Sequence, residues 1–272
     1  MKDADCVQFL QWVLPKLRMR WPGFRKVRRQ VCKRVDRRLR HLGLEDLSAY
    51  RDYLDRHSHE WLVLDELCRI SISRFYRDRR VFDLIRNEVL PQLAAASKAR
   101  GDSGIRVWSV GCASGEEVYT LKMVWELQVQ RHFPNVSLHI TATDADPQLI
   151  QRAHGGCYAG SSVKDLPIEW MKLAFSRAEE EFCVRDLFRG GIEFLIQDIR
   201  REQPAGPFDL ISCRHLVFTY FEEQLQGEVL RQMMARLRPD GVLLIGKQEV
   251  LPPSANCDLR IIEPHSGMYR RR

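Results

Sequence analysis

Two glycines four residues apart, Gly111 and Gly115, run directly into two acids, Glu116 and Glu117, and a further acid, Asp144, closes the apolar run Leu138 to Thr143. These residues suit a small polar ligand. Glycine accepts strained backbone angles and lets a ligand approach closely, and the start of a helix offers N–H groups to an anion such as a carboxylate. An acid at the carboxyl end of a second strand can hold the two hydroxyls of a ribose. The pattern points to a nucleoside cofactor, although a glycine turn with a later acid also occurs as a plain strand-to-helix connection. A dinucleotide site would want a third glycine and no acids beside a pyrophosphate. A cofactor with a sulfonium, an amine and no phosphate fits this turn better, which selects S-adenosylmethionine.

The elements that must position these residues can be read on either side of them. Ile105, Val107, Trp108 and Val110 have strand character, and the residues after Glu117 favour helix. Further on, Asp146 to Ala153 reads as a helix ended by Gly155-Gly156, and Leu166 to Phe175 as a short one. Phe182 to Val184 and Ile192 to Ile196 flank Arg189-Gly190-Gly191, a hairpin signal. Phe208 to Cys213 reads as a buried strand, Glu222 to Leu237 as a helix, and Val242 to Ile245 as a strand entered through Pro239-Asp240-Gly241. Leu259 to Ile262 and Met268-Tyr269 make a closing pair. Strands alternating with helices imply a parallel sheet whose ligand lies at the carboxyl ends of its strands. Gly111, Asp144, Asp198 and the residues after Cys213 should converge there.

The segment before residue 95 is helical and basic. Val27, Val31, Val35 and Leu39 recur every four positions among Arg25, Lys26, Arg28, Arg29, Lys33, Arg34, Arg37, Arg38 and Arg40, with Asp36 as the acid among them. One face packs and the others are cationic, which suits either a solvated helix or a docking face for an acidic partner. The small, polar stretch Ala94 to Ser103 sets the expected junction, giving domains 1–95 and 96–272.

The 272 residues carry a net charge of +7 and 44% hydrophobic content, enough for a sizeable core. The eight cysteines are scattered, without Cys-x-x-Cys pairs or zinc spacing, so reduced buried thiols and no metal site are expected. No apolar run reaches a membrane span and the amino terminus lacks a secretory core, so a cytoplasmic protein without membrane insertion is expected. The basic helix lacks the aromatic interleaving of a single-stranded nucleic-acid site.

Several motifs occur in the order found in one known family. The chain resembles the CheR-type protein-glutamate O-methyltransferases in SxSRFYR (family TNxTxFFR), WSVGCASGEEVY (WSAGCSTGEEPY), ATDAD (ASDID), CRH (CRN), LRPDGVLLIG and GKQE (GHSE). The resemblance covers nearly the whole length, and the GEE turn and FFR-like segment are its most specific parts. It implies an α/β fold: a Rossmann-like methyltransferase domain with a short β-hairpin insert at about 175–192, preceded by a small all-α domain. It also implies S-adenosylmethionine as methyl donor, S-adenosylhomocysteine as product, and an acidic, receptor-like helical bundle as acceptor. Position by position it assigns Gly111, Ala113, Gly115 and Glu116 to the cofactor turn, Asp144 and Ala145 to the ribose, Asp198 and Ile199 to the adenine side, and Arg214 to the pocket. Arg77 and Tyr220 match active-site residues, Tyr220 only with one inserted residue after Arg214.

The departures gather on the acceptor side: His215 for Asn, Val118 for Pro, Tyr76 for Phe, and Lys247-Gln248 for His-Ser. A histidine could serve as a base for an amine or phenol acceptor, which a carboxylate would not need, or could replace the hydrogen bond of the Asn. A small-molecule acceptor on the same fold and a non-catalytic cofactor sensor therefore stand beside protein-glutamate methylation.

Overall fold

The computed structural model describes residues 2–253 and 258–272; Cys257, one of the eight cysteines, lies outside the described residues. Among the described residues ten strands occur: β1 Gly104–Val110, β2 Ser137–Asp144, β3 Cys157–Ala159, β4 Phe175–Ala178, β5 Glu181–Val184, β6 Ile192–Ile196, β7 Phe208–Cys213, β8 Leu237–Ile245, β9 Leu259–Glu263 and β10 Met268–Arg271. Seven form one sheet in the order β6-β2-β1-β7-β8-β10-β9. The first five are parallel neighbours, and β10 and β9 add an antiparallel edge. The central strands are apolar on both faces, and β7 is buried throughout, as helix-covered parallel strands require. At its amino end the buried Asp209 of β7 accepts from the Arg106 N–H at 2.8 Å and pairs with Arg100 at 2.6 Å, so a carboxylate that burial alone would penalise is satisfied.

The chain divides into two compact units, residues 1–71 with 219–226 and residues 72–218 with 227–272. The division lies after Ser71 rather than near residue 95, because Leu90–Arg100 is a helix of the sheet-bearing unit: its Leu90, Leu93 and Ala94 are buried in the same core as Val107 and Leu210. The small residues at 94–96 therefore belong to a helix that packs through Ala94 and are not a linker.

In the smaller unit, Asp3–Val13, Arg28–Leu42, Leu47–Arg56 and Glu60–Cys68 are its main helices. Val31, Val35 and Leu39 bury the apolar stripe of Arg28–Leu42, and Gly43 ends that helix at φ +66°. The buried Glu60 joins Arg38 at 2.6 Å and the Tyr50 hydroxyl at 2.7 Å.

The insert differs from the expected hairpin. β3, β5 and β4 make a separate three-stranded antiparallel sheet, whereas β6 leaves it and pairs in parallel with β2. Gly191 lies in this passage at φ +75°, with its carbonyl accepting from Ile140 N–H at 2.8 Å. The glycines thus serve entry to the main sheet, and the hairpin turn is Glu179-Glu180 between β4 and β5.

Four of the cysteines expected as reduced thiols are bridged instead. Cys6 joins Cys32 and Cys157 joins Cys183. Folding brings residues 26 apart to Cα separations of 6.0 and 4.0 Å, a proximity that linear spacing does not carry. Cys68, Cys112 and Cys213 are free and buried. No helix among the described residues is long and apolar enough to cross a membrane.

Candidate active site

Because β6, β2, β1, β7 and β8 run parallel, their carboxyl ends share one edge of the sheet. The strand order reverses between β1 and β7, the position where α/β sheets open a crevice. Gly111 follows β1, Asp144 ends β2, Asp198 and Ile199 follow β6, Arg214 and His215 follow β7, and Gly246 to Glu249 follow β8.

The turn after β1 needs its glycines. Gly111 has φ +65° and Gly115 φ +88°, and a Cβ on Gly115 would stand 3.1 Å from that of Ala153. Ala113 also adopts φ +49°. Its N–H donates to Asp144 Oδ2 at 2.9 Å, and the Asp146 N–H donates to Oδ1 at 3.0 Å, so the turn and the β2 acid are locked together. Ala145 lies between these anchored residues. A carboxylate offers about four lone-pair sites, so the same group can meet these N–H donors and the hydroxyls of a ribose. The Tyr158 hydroxyl, from the small sheet, donates to the Ser114 carbonyl at 2.6 Å and steadies the far side of the turn.

Glu116 begins the helix Glu116–Val124 and is 3% exposed. Its Oε1 accepts from Ser114 Oγ at 2.9 Å, while Oε2 is buried without a hydrogen-bond partner among the described residues. A desolvated carboxylate oxygen at the mouth of a glycine turn calls for a cation. The α-ammonium of S-adenosylmethionine supplies one, and the residues present fit that cofactor.

Glu117 turns to a different task. It accepts from Ser212 Oγ at 2.6 Å and pairs with Arg214 at 2.8 Å, joining β7 to the helix after the turn. Arg214, with only 4% of its side chain exposed, also pairs with Asp78 and donates to the Arg77 carbonyl at 3.3 Å. Its guanidinium is therefore committed to Glu117 and Asp78. His215 Nε2 lies 3.5 Å from Asp78 Oδ2, and the His215 N–H donates to Glu249 Oε2 at 2.9 Å. Contact with the His215 ring, opposed by partial burial and aided by the Arg214 charge, holds the Asp78 carboxyl at about 2, below its ordinary 3.8.

Tyr76, Asp78 and His215 all have positive φ, of 55°, 63° and 57°. Such angles persist only where surroundings over-determine them, and they gather at functional sites. Tyr76 is held by its N–H to Thr120 Oγ1 at 3.1 Å and its hydroxyl to Asp83 at 3.0 Å. Burial, then the Asp83 bond, push that phenol up to about 12. Burial likewise raises the thiols of Cys112 and Cys213 well above their ordinary value, so neither is a ready nucleophile.

Arg77 is half-buried; its guanidinium donates to the Ile72 carbonyl at 2.9 Å and makes no ion pair among the described residues. Asp198 is clasped by Arg200 at 2.6 Å, with Ile199 buried beside it. Tyr220 falls within the smaller unit, where its ring packs against Phe24 at 5.0 Å and its carbonyl accepts from Arg20 N–H at 2.8 Å. Sequence reasoning gave no separate role to Asp78, Glu117 or Glu249, although Glu117 and Glu249 lie within the GEE and GKQE motifs and Asp78 directly follows SxSRFYR. Among the described residues no group of three or more His, Cys, Asp or Glu is arranged to hold a metal.

This sheet order, with its glycine turn, strand-end acid and buried glutamate, is that of an S-adenosylmethionine-dependent methyltransferase. Residues 71–267 match the CheR methyltransferase, SAM binding domain, and the chain belongs to that family. It is 31% identical over 231 residues to the chemotaxis protein methyltransferase of Escherichia coli, covering 82% of this chain and 76% of that one. With the chemotaxis protein methyltransferase of Listeria monocytogenes it shares 33% over 198 residues, 71% of this chain and 72% of the other. An uncharacterized 104.1 kDa protein of Rhodobacter capsulatus is 31% identical over 221 residues, and there the match spans 81% of this chain but 23% of the relative's length.

Proposed function

We propose that this methyltransferase esterifies a glutamate side chain on an acidic, receptor-like helical bundle. The observation that carries the reading is Arg77, a half-buried cation on the segment pinned to Arg214 and without an ion pair among the described residues. Its planar fork suits a carboxylate through paired, charge-assisted hydrogen bonds. The names of the Escherichia coli and Listeria relatives, as chemotaxis methyltransferases, support the same acceptor class. The reading places the enzyme in the cytoplasm.

When bound, S-adenosylmethionine supplies a methyl group on a positively charged sulfur, which leaves as a neutral thioether when an acceptor oxygen bonds the methyl carbon. Glu116 holds the ammonium and Asp144 the ribose, while Asp198 and Ile199 flank the adenine. Glu117, Arg214 and Asp78 brace the wall between the two halves of the site. Arg77 orients the acceptor, which is ionised at neutral pH because its ordinary pKa is about 4.3. Transfer then depends on alignment, and His215 acts by shaping the wall with Asp78 rather than by removing a proton.

The test is transfer of radiolabelled methyl to a chemoreceptor cytoplasmic fragment. Base-labile protein ester is expected, at a rate independent of pH between 5.5 and 8, with Arg77→Ala raising KM for the fragment and leaving S-adenosylhomocysteine affinity unchanged. Base-stable label on a small amine or phenol, with a rate that rises with pH between 5.5 and 8, would replace this reading with the small-molecule one.

A further inference from the structure

A cleft of about 650 Å³ opens beside Asp78 in the sheet-bearing unit, lined by Arg79, Arg80, Lys247, Gln248, Glu263 and His265 among others. Its shape follows from two short structures. Gly246 and Glu249 close a turn, with the Glu249 N–H donating to the Gly246 carbonyl at 2.8 Å and the Glu249 carboxylate accepting back from the Gly246 N–H at 2.6 Å. The same carboxylate oxygen takes the His215 N–H at 2.9 Å, so Lys247 and Gln248 are presented at the tip of a braced turn beside the acceptor-side residues. Opposite, the turn between β9 and β10 is held by the Ser266 hydroxyl, which donates to the Glu263 carbonyl at 2.6 Å and accepts from the Met268 N–H at 3.1 Å.

The charge of this cleft is positive. Asp78 is paired with Arg214 and lies 3.5 Å from His215 Nε2, and among the described residues the one ion pair of Arg79 is a long contact of 4.0 Å with Asp83. Arg80 and Lys247 are exposed and make no ion pair among the described residues. Glu263 is the remaining carboxylate of the lining and is outnumbered by Arg79, Arg80 and Lys247. Lys247-Gln248 also stands where the resembled family pattern has His-Ser, so part of this charge is a departure of this chain.

We infer that this cleft is an acceptor-specificity subsite, in which Arg80 and Lys247 hold an acidic side chain flanking the methylated glutamate on the substrate's helical surface. The inference rests on the proposed carboxylate acceptor and deepens it: Arg77 orients the reacting carboxylate, and the cleft reads its neighbour. Exposed charges of this kind act through a water-filled groove and contribute modestly one at a time, but together they bias which glutamate is presented.

The experiment compares wild type, Lys247→Gln, Lys247→Glu and the double variant R80E/K247E on two chemoreceptor cytoplasmic fragments. One fragment keeps the acids flanking its methylated positions, and the other has those flanks changed to Gln. Initial rates of base-labile ester formation give KM and kcat, and calorimetry with S-adenosylhomocysteine checks the cofactor half. The double variant is expected to raise KM for the acidic fragment by roughly fivefold to tenfold, with kcat within about twofold and cofactor affinity unchanged. Lys247→Gln should fall between. On the neutralised fragment all four proteins should share one KM. Equal KM for wild type and the double variant on the acidic fragment would overturn the subsite, as would an equal loss on both fragments. No ester from wild type on either fragment would overturn the carboxylate reading itself and the subsite with it.

Discussion

Glu116 and Asp78 are both acids in one site, yet their surroundings give them opposite tasks. Glu116 keeps a buried oxygen without a partner, so its charge is available to a bound ammonium. Glu116→Gln removes that charge and should weaken S-adenosylhomocysteine binding roughly 10- to 100-fold, the range of a lost hydrogen bond to a charged group, measured by calorimetry with a folded-state check by circular dichroism. Asp78 is already paired with Arg214 and lies 3.5 Å from His215 Nε2, and its carboxyl is held at about 2 rather than 3.8. A depressed acid contributes stability that is full above the unfolded value and is lost as pH falls toward the folded one. Stability should therefore decline between about pH 4 and pH 2, and Asp78→Asn should flatten that limb while lowering stability at neutral pH by leaving a buried Arg214 face unpaired. Urea unfolding at each pH measures both effects. The placement of the glycine turn, its acids and Asp144 at one edge of the sheet was legible, because they lie within single strand–loop–helix units. Arg214 was named for the pocket from the CRH motif, but its ion pairs were not legible, because Glu117 and Asp78 are 97 and 136 residues away.

Elements were legible where periodicity and caps agreed. Asp146 caps the helix Pro147–Gly155 through the Gln148 N–H at 2.9 Å, and Gly156 ends it at φ +66°, as the spacing of Asp146 and Gly155-Gly156 predicts. Ile192–Ile196 was misread as half of a hairpin because a short apolar strand carries no mark of its partner, and only the register with β2 decides it. The same limit hid the bridges. Cys6 and Cys32 lie on helices packed side by side in the smaller unit, and closing a 26-residue separation removes freedom from the unfolded chain worth about 3 to 4 kcal/mol in the loop-entropy account. The variant C6S/C32S should lose about that much stability in oxidising buffer. Wild type moved into strong reductant should fall at least as far, since a reductant that opens Cys6–Cys32 also opens Cys157–Cys183. Guanidinium denaturation with and without dithiothreitol reads the comparison, and equal stability of all forms would show that the helix pair is held by packing alone.

For the whole molecule, charge distribution carries more information than the net value of +7. Several cations of the helix Arg28–Leu42 are neutralised in place: Arg28 by Asp3, Arg38 by Glu60 and Arg40 by Asp36. Arg29, Lys33 and Arg37 are exposed, follow one another at four-residue intervals on one face, and make no ion pair among the described residues. A stripe of uncompensated cations repels itself and is retained at some cost unless an acidic surface uses it. Such a surface would be drawn in before any short-range contact forms, so the effect belongs to encounter and not to chemistry. The triple variant R29E/K33E/R37E should therefore lower kcat/KM for an acidic helical bundle on the order of tenfold at low salt, with kcat and S-adenosylhomocysteine affinity kept. The difference should shrink as salt rises from 0.1 M toward 1 M and the screening length falls from about 10 Å to about 3 Å. Methyl-transfer rates across that salt series separate steering from catalysis: a defect that persisted undiminished at high salt would place these residues in a contact of the bound complex, and no defect at low salt would make the stripe a solvated face.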